Sequence, residues 1–246
     1  MRAGSIRRVG MLALLAAGLL GGMVNALAGG ATLLTFPALM ATGLTPVVAN
    51  ASNAVALAPS HLLAAVADHV HRPPVDRLLR TQIGLSILGG ICGSGLLLVL
   101  PTGRFPAVVP VLIGVATALF AVAPRLRGVR VATAPGLLLA SAYGGFFGAA
   151  LGVILSALLA LGPDRDARRV NARKNILASA ATLAAVAVFV AKGLVAWPAT
   201  VTVLAGAVAG GWLGGRISGR IPATAVRAVV IAGGVLLTLF YAHRFW

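Results

Sequence analysis

The chain has 246 residues, of which 59% are apolar and only 10% charged, and its formal net charge is +16. No chain of this length has enough interior to bury so much apolar surface, so an ordinary water-soluble domain is excluded. The 20 Lys and Arg residues sit almost wholly in short connections between apolar runs, which is a membrane-topology signal rather than a nucleic-acid footprint.

The first residues imitate a secretory signal: Arg7 and Arg8, an apolar stretch, then Ala26-Leu27-Ala28 as a cleavage-like site. Cleavage is not expected, because the same Gly-rich pattern recurs in mid-chain. The run from Met11 to Thr42 would extend about 48 Å as one straight helix, well past a hydrocarbon core of about 30 Å. It must break or fold back, and Asn25 to Gly30 is where the sequence allows this. Thr45 and Pro46 then mark a helix start, with Pro at the first helical position. The helix from Pro46 to Ala67 opens with Asn50, Ser52 and Asn53, and the two amides, three apart, share a face. Deep in the same run, His61 follows Pro59-Ser60 and reads as a polar contact between helices or as a pathway residue. His69 and His71 fall in the basic connection with Asp68 and Asp76.

Apolar runs follow at Ile83 to Leu100, which holds the single Cys92, and at Ala107 to Ala123. One cysteine gives neither a disulfide nor a thiolate metal site within one chain. After the basic linker Pro124 to Arg130, the run Val131 to Leu161 is again too long for one straight crossing and can break between Gly144 and Gly152. A second polar cluster, Asn171-Ala172-Arg173-Lys174-Asn175, precedes Ile176 to Ala191, and its amides, four apart, also share a face. Runs at Val195 to Leu213 and Ala223 to Ala242 complete the chain; Trp197, Trp212, Tyr241 and Trp246 suit the membrane interface.

Sliding the sequence on itself by about 120 residues exposes an internal repeat. Gly21-Gly22 meets Gly144-Gly145, Gly30 meets Gly152, Ser52-Asn53 meets Lys174-Asn175, and Gly89-Gly90 with Gly93 meets Gly210-Gly211 with Gly214. Pro106 and Pro222 follow in the same order. The expected fold is therefore an all-α polytopic membrane protein of two homologous, inverted repeats, residues 1–125 and 131–246, with Gly-broken helices and about 8 to 10 transmembrane segments. Irregular backbone at membrane depth survives only when it is shielded by protein or lines a cavity, so breaks at matching positions point to a transport site.

Connections 71–80, 124–130, 162–174 and 216–227 hold 14 of the 20 Lys and Arg residues and are expected on the cytoplasmic side. Two passes per broken stretch give ten crossings with an external N-terminus. If only the second stretch folds back, there are nine crossings and an internal N-terminus. Both place the first Asn cluster near the outer side and the second near the cytoplasmic side.

Asn50, Ser52 and Asn53 from one side and Asn171, Arg173, Lys174 and Asn175 from the other are the candidate substrate-binding residues. Helix N-termini and amides offer hydrogen-bond donors to an anion, and the two cations add full charge. Asn25, Gly29, Gly30, Gly145, Gly148 and Gly152 would shape the broken backbone. Polar residues also serve as plain glue between membrane helices, and Arg173 and Lys174 also suit positive-inside anchoring. The four acidic residues, Asp68, Asp76, Asp164 and Asp166, all lie in or beside connections. A carboxylate proton relay or sodium site at membrane depth has no candidate residue, and neither does a metal or another cofactor. A membrane-embedded enzyme would need clustered nucleophiles, ligands or carboxylates, and His61 alone does not supply them.

The order Gly21-Gly22-Met23-Val24-Asn25-Ala26-Leu27-Ala28-Gly29-Gly30, then Pro37, Gly43, Pro46, Ala49-Asn50-Ala51-Ser52-Asn53 and Ala56-Leu57-Ala58-Pro59, resembles the first signature of the TauE/SafE family of sulfite and sulfonate exporters. Tyr143 to Gly152, Asn171 to Asn175, and Gly193 to Pro198 resemble its second. Ala31 stands where the family often has a third glycine, and Ser60 where a glycine often follows Pro59. The resemblance implies a bacterial inner-membrane, multi-pass secondary transporter that exports sulfite, sulfoacetate or related small organic or sulfur-containing anions. Its partners would be the anion, the lipid bilayer and further copies in a homo-oligomer, with no nucleic acid. The rival expectation is a non-transporting scaffold or assembly subunit.

Overall fold

A computed structural model of the chain describes residues 8–27, 30–67, 73–100, 105–122, 133–159, 166–217 and 223–246. Among the described residues the secondary structure is helical: α1 (Arg8–Leu27), α2 (Thr32–Ala41), α3 (Pro46–Ala67), α4 (Arg77–Val99), α5 (Phe105–Val122), α6 (Thr133–Phe146), α7 (Leu151–Leu159), α8 (Ala167–Ala191), α9 (Trp197–Ile217) and α10 (Ala223–Phe245). Among the described residues three stretches, Arg77–Val99, Arg168–Ala191 and Thr224–Phe245, are long and apolar enough to cross a membrane. Large apolar side chains such as Leu12, Leu139, Val229 and Leu239 face outward, as a lipid surface requires and water does not permit over so wide an area.

Local chemistry sets the ends. Asp76 caps α4 by accepting from the Leu79 N–H at 2.7 Å, and Asp166 caps α8 by accepting from the Arg168 N–H at 2.9 Å. Both described carboxylates therefore work at helix starts. Helix α3 begins at Pro46, and the Ala49 N–H closes its first turn on the Thr45 carbonyl at 2.8 Å.

The tightest packing pairs distant elements: α1 lies on α9, α6 and α8 both on α4, α5 on α10, and α3 on both α8 and α9. Glycines let the backbones touch, since there is little hydrophobic drive between helices in lipid and close van der Waals approach must replace it. A Cβ on Gly210 of α9 would stand 1.9 Å from the Leu19 carbonyl oxygen of α1, and one on Gly22 would stand 2.2 Å from that of Ala207. In the other pair, a Cβ on Gly93 of α4 would stand 1.8 Å from the Ala142 oxygen of α6, and one on Gly145 would stand 2.2 Å from that of Gly90. Any larger residue at these four positions forces the helices apart.

The main core gathers Phe36 of α2, Ile113 and Phe120 of α5, Phe147 after α6, and Phe189 of α8. Phe36 meets Phe147 edge to face with ring centroids 5.1 Å apart. This contact joins α2 to the irregular backbone between α6 and α7. A second core places Leu79 of α4, Leu137 of α6, Leu151 and Leu155 of α7, and Leu177 of α8 together.

Candidate functional site

The site is built around two interruptions of helix. In the first, Gly30 adopts φ +91 just before α2, and the Leu33 N–H bonds back to its carbonyl at 3.0 Å. In the second, between Phe146 and Leu151, Gly148 has φ +76 and Ala150 has φ +62. A left-handed alanine is strained by about 1–2 kcal/mol, and such strain collects at working parts of proteins. The breaks are narrower than the sequence predicts. Helix α1 runs on past Asn25 to Leu27, Gly145 lies inside α6, and Gly152 lies in the first turn of α7. Gly30 and Gly152, matched in the sequence register, thus occupy different positions, because Gly148 and Ala150 take the left-handed conformation before α7 and Gly152 does not. Gly29 lies outside the described residues.

The first Asn cluster ties both breaks to α3. Asn53, 2% exposed, accepts a hydrogen bond from the Thr35 hydroxyl at 2.5 Å and donates one to the Thr32 hydroxyl at 3.2 Å. Thr32 and Thr35 are in the first turn of α2, directly after the first break. Asn50, 1% exposed, donates from Nδ2 to the Phe146 carbonyl at 2.8 Å, which is the last residue of α6 before the second break. Ser52 accepts from the Ala196 N–H at 2.9 Å, pinning the segment that leads into α9. Three neighbouring residues of one helix thereby satisfy irregular backbone and side chains from three other parts of the chain, as buried polar groups in hydrocarbon must be satisfied.

The second cluster is arranged differently. Asn175 is buried at 5% exposure, and its carbonyl accepts from the Ser179 hydroxyl at 2.7 Å. Asn171 is exposed, and its Oδ1 accepts from Lys174 Nζ at 2.7 Å. Lys174 is half-buried and lies within electrostatic range of His61 on α3. Arg173 is half-buried too, and its Nε is buried with no partner among the described residues. Asn25 of α1 belongs with this end of the molecule, since its Nδ2 donates to the Ser60 hydroxyl, next to His61, at 3.4 Å. Ser60 in turn donates to the Leu57 carbonyl at 2.6 Å.

The structure thus brings Asn50, Ser52 and Asn53 to the breaks, and brings Asn25 and Lys174 to the Ser60–His61 turn of α3. Thr32, Thr35, Tyr143 and Ser60 were not singled out in the sequence as site residues. The three-residue spacing of Thr32 and Thr35 directly after Gly29-Gly30 was the available signal. Chemically, the arrangement combines the starts of α2 and α7, whose N–H groups carry partial positive charge, with two half-buried cations on α8. Among the described residues no three His, Cys, Asp or Glu side chains gather as a metal site would require.

A family profile described as sulfite exporter TauE/SafE matches residues 14–241. The chain is 26% identical over 209 residues to the "Probable membrane transporter protein YfcA" of Escherichia coli strain K12, covering 81% of this chain and 77% of that protein. It is 26% identical over 229 residues to a "Probable membrane transporter protein" of Haemophilus influenzae, covering 90% of each. No solved structure matches the chain.

Proposed function

Because the chain belongs to the sulfite exporter TauE/SafE family of membrane transporters, we propose that it is a secondary transporter exporting small organic or sulfur-containing anions, such as sulfite, sulfoacetate or other sulfonates, across a bacterial inner membrane. The observation that carries this reading is the hold of α3 on both breaks through Asn50 and Asn53. A scaffold has no need of interrupted helices at membrane depth, whereas a carrier uses them to present N–H groups to its cargo.

The proposed architecture is two inverted repeats, residues 1–125 and 131–246. The reciprocal pairing of α1 with α9 and of α6 with α4 supports it, as each repeat's first helix lies on the other's fourth. Helices α2 and α7, with 10 and 9 residues, reach about 15 and 14 Å, half of a hydrocarbon core. In this reading they fold back from the breaks to the side their hairpin entered from. The breaks then lie near the midplane, and the N-termini of α2 and α7 approach it from opposite sides. The basic connections face the cytoplasm, the C-terminus faces outward, and the chain works in the bilayer as a homo-oligomer. Reporter fusions after Arg80 and Arg127 are expected to behave as cytoplasmic and one after Arg244 as external; a cytoplasmic result at Arg244 overturns the orientation.

An anion leaving a cell with a negative interior gains about 2.3 kcal/mol per charge per 100 mV. The described carboxylates are occupied as helix caps, so the mechanism needs no coupling ion. In proteoliposomes, flux of a strong-acid sulfonate is expected to follow a potential set with potassium and valinomycin, and to ignore a pH gradient at zero potential. Flux that follows the pH gradient instead would make His61 the titrating group.

The second reading, a non-transporting scaffold or assembly subunit, draws on one observation: both polar atoms of the Asn53 amide are already used within the protein. Co-purification with a partner and the absence of flux for every anion tried would establish it.

A further inference from the structure

The last turn of α5 carries a side chain that reaches the first break. Phe120 is the third residue from the end of that helix, so its carbonyl is among those left without an intrahelical donor. A donor comes from far along the chain: Arg227 of α10 donates from Nη2 to this carbonyl. The same guanidinium lies over the Phe120 ring, with Cζ 5.0 Å from its centroid, within range of a cation–π contact. One cation thereby holds both the backbone and the ring of Phe120, and its charge complements the negative end of the α5 dipole.

The held ring lies on the first break. A Cβ built on Gly30, the residue at φ +91, would stand 3.4 Å from Phe120 Cε2, 3.6 Å from its Cζ and 3.5 Å from Val230 Cγ1. Phe120 and Val230 are both buried, and Val230, three residues on from Arg227, shares its face of α10. Ring and valine form an apolar wall over the backbone just before α2, whose first turn bonds Asn53 through Thr32 and Thr35. Elsewhere α5 and α10 interlock without Arg227. A Cβ on Gly234 would stand 2.3 Å from Thr117 Oγ1, and one on Gly114 3.2 Å from Thr238 Cγ2. At the far end of the pair, Trp246 Nε1 donates to the Ala107 carbonyl at 3.0 Å. A change at Arg227 therefore leaves the two helices paired and releases only the turn that carries Phe120.

We infer that Arg227 is a positioning residue for transport, clamping the Phe120 ring against Gly30 and so fixing the first break. This rests on the transport reading above and adds a residue that serves the same site. Arg227 ends the basic connection 216–227, and lysine in its place keeps the charge that sets topology. Lysine lacks the planar fork that meets a carbonyl and a ring together.

Two measurements on the full chain test the clamp. In the first, Val230→Cys is made in a Cys92→Ala background and treated with a membrane-impermeant methanethiosulfonate. The thiol is expected to be nearly inert behind the closed wall. It should react on the order of tenfold faster once Arg227→Lys or Phe120→Leu opens the wall, the fold-change that matches one charge-assisted hydrogen bond. Unchanged labelling in both variants overturns the clamp, and so does a large fall in the melting temperature of both, which would make Arg227 a general brace.

In the second, flux into proteoliposomes is measured with ethanesulfonate, or with sulfite where ethanesulfonate is not carried. Arg227→Lys and Phe120→Leu are each expected to raise KM severalfold with little change in kcat. With both changes in one protein, KM should rise no further than in Phe120→Leu alone, because Arg227 acts through the ring. Factors that multiply in the double variant, or an unchanged KM in Arg227→Lys, overturn the positioning role and leave the transport reading standing. If the wild type carries neither anion, the transport reading is what fails, and labelling alone decides whether Arg227 closes the break.

Discussion

The two Asn clusters hold matching places in the proposed repeat, yet apart from the buried Asn175 the structure uses them differently. Asn50, Ser52 and Asn53 are almost wholly buried and hydrogen-bond with Phe146, Ala196, Thr32 and Thr35. In the other cluster Asn171 is exposed, and Arg173 and Lys174 put charge into a half-buried setting near His61. The start of α3 thus provides anchorage and that of α8 provides electrostatics. A motif matched by sequence fixes where polar groups enter a helix; their partners decide what those groups do.

That contrast can be broken by substitution, and the largest effect is expected at Asn53. Asn53→Ala removes two hydrogen bonds and leaves the Thr32 hydroxyl without its donor, at a cost of about 1–3 kcal/mol for each buried group deprived of a partner. A clear fall in the melting temperature of the detergent-solubilised protein is expected, together with loss of most flux. An unchanged melting temperature would show that α2 is held by its apolar contacts alone.

Lys174 should respond in the opposite sense. Lys174→Gln is expected to leave the melting temperature nearly unchanged and to raise KM for a monovalent anion severalfold, with little change in kcat. A half-buried cation contributes chiefly by concentrating the anion near its site, and salt weakens that contribution. The wild-type KM should therefore rise with ionic strength more steeply than that of the variant. Parallel salt dependences would mean that Lys174 plays no part in concentrating the anion.

The smallest effect is expected at Asn171. Its side chain is exposed and bonds Lys174 one turn along the same helix, a contact worth about 0.2–0.5 kcal/mol on a helix surface. Asn171→Ala should alter stability and flux only marginally, as thermal melts and initial-rate assays would show. A loss of flux as large as that of Asn53→Ala would place the substrate path along the outer face of α8 and erase the distinction between the clusters.

Much of this was legible in the sequence for a local reason. Apolar run lengths identify a membrane chain because a helix rises by a fixed distance per residue, and any run longer than the core must break. The register of Gly21-Gly22, Asn53 and Gly89-Gly90 against Gly144-Gly145, Asn175 and Gly210-Gly211 suggests the duplication without any coordinates. Pro46 marked the start of α3 because proline at the first helical position loses no hydrogen bond.

What the tertiary structure decided were the partners and the limits of the breaks. Asn50 finds its acceptor 96 residues away and Ser52 its donor 144 residues away, and no local spacing encodes which carbonyl or N–H will be orphaned there. Asn25 reads as part of the first break, yet its amide turns to Ser60, 35 residues on, because α1 continues as helix past it. The second break closes down to 147–150 because α6 and α7 extend into the glycine-rich stretch wherever neighbours accept them. Gly145 fits against the Gly90 carbonyl, Gly152 meets open space, and Ala150 is left to take the left-handed turn.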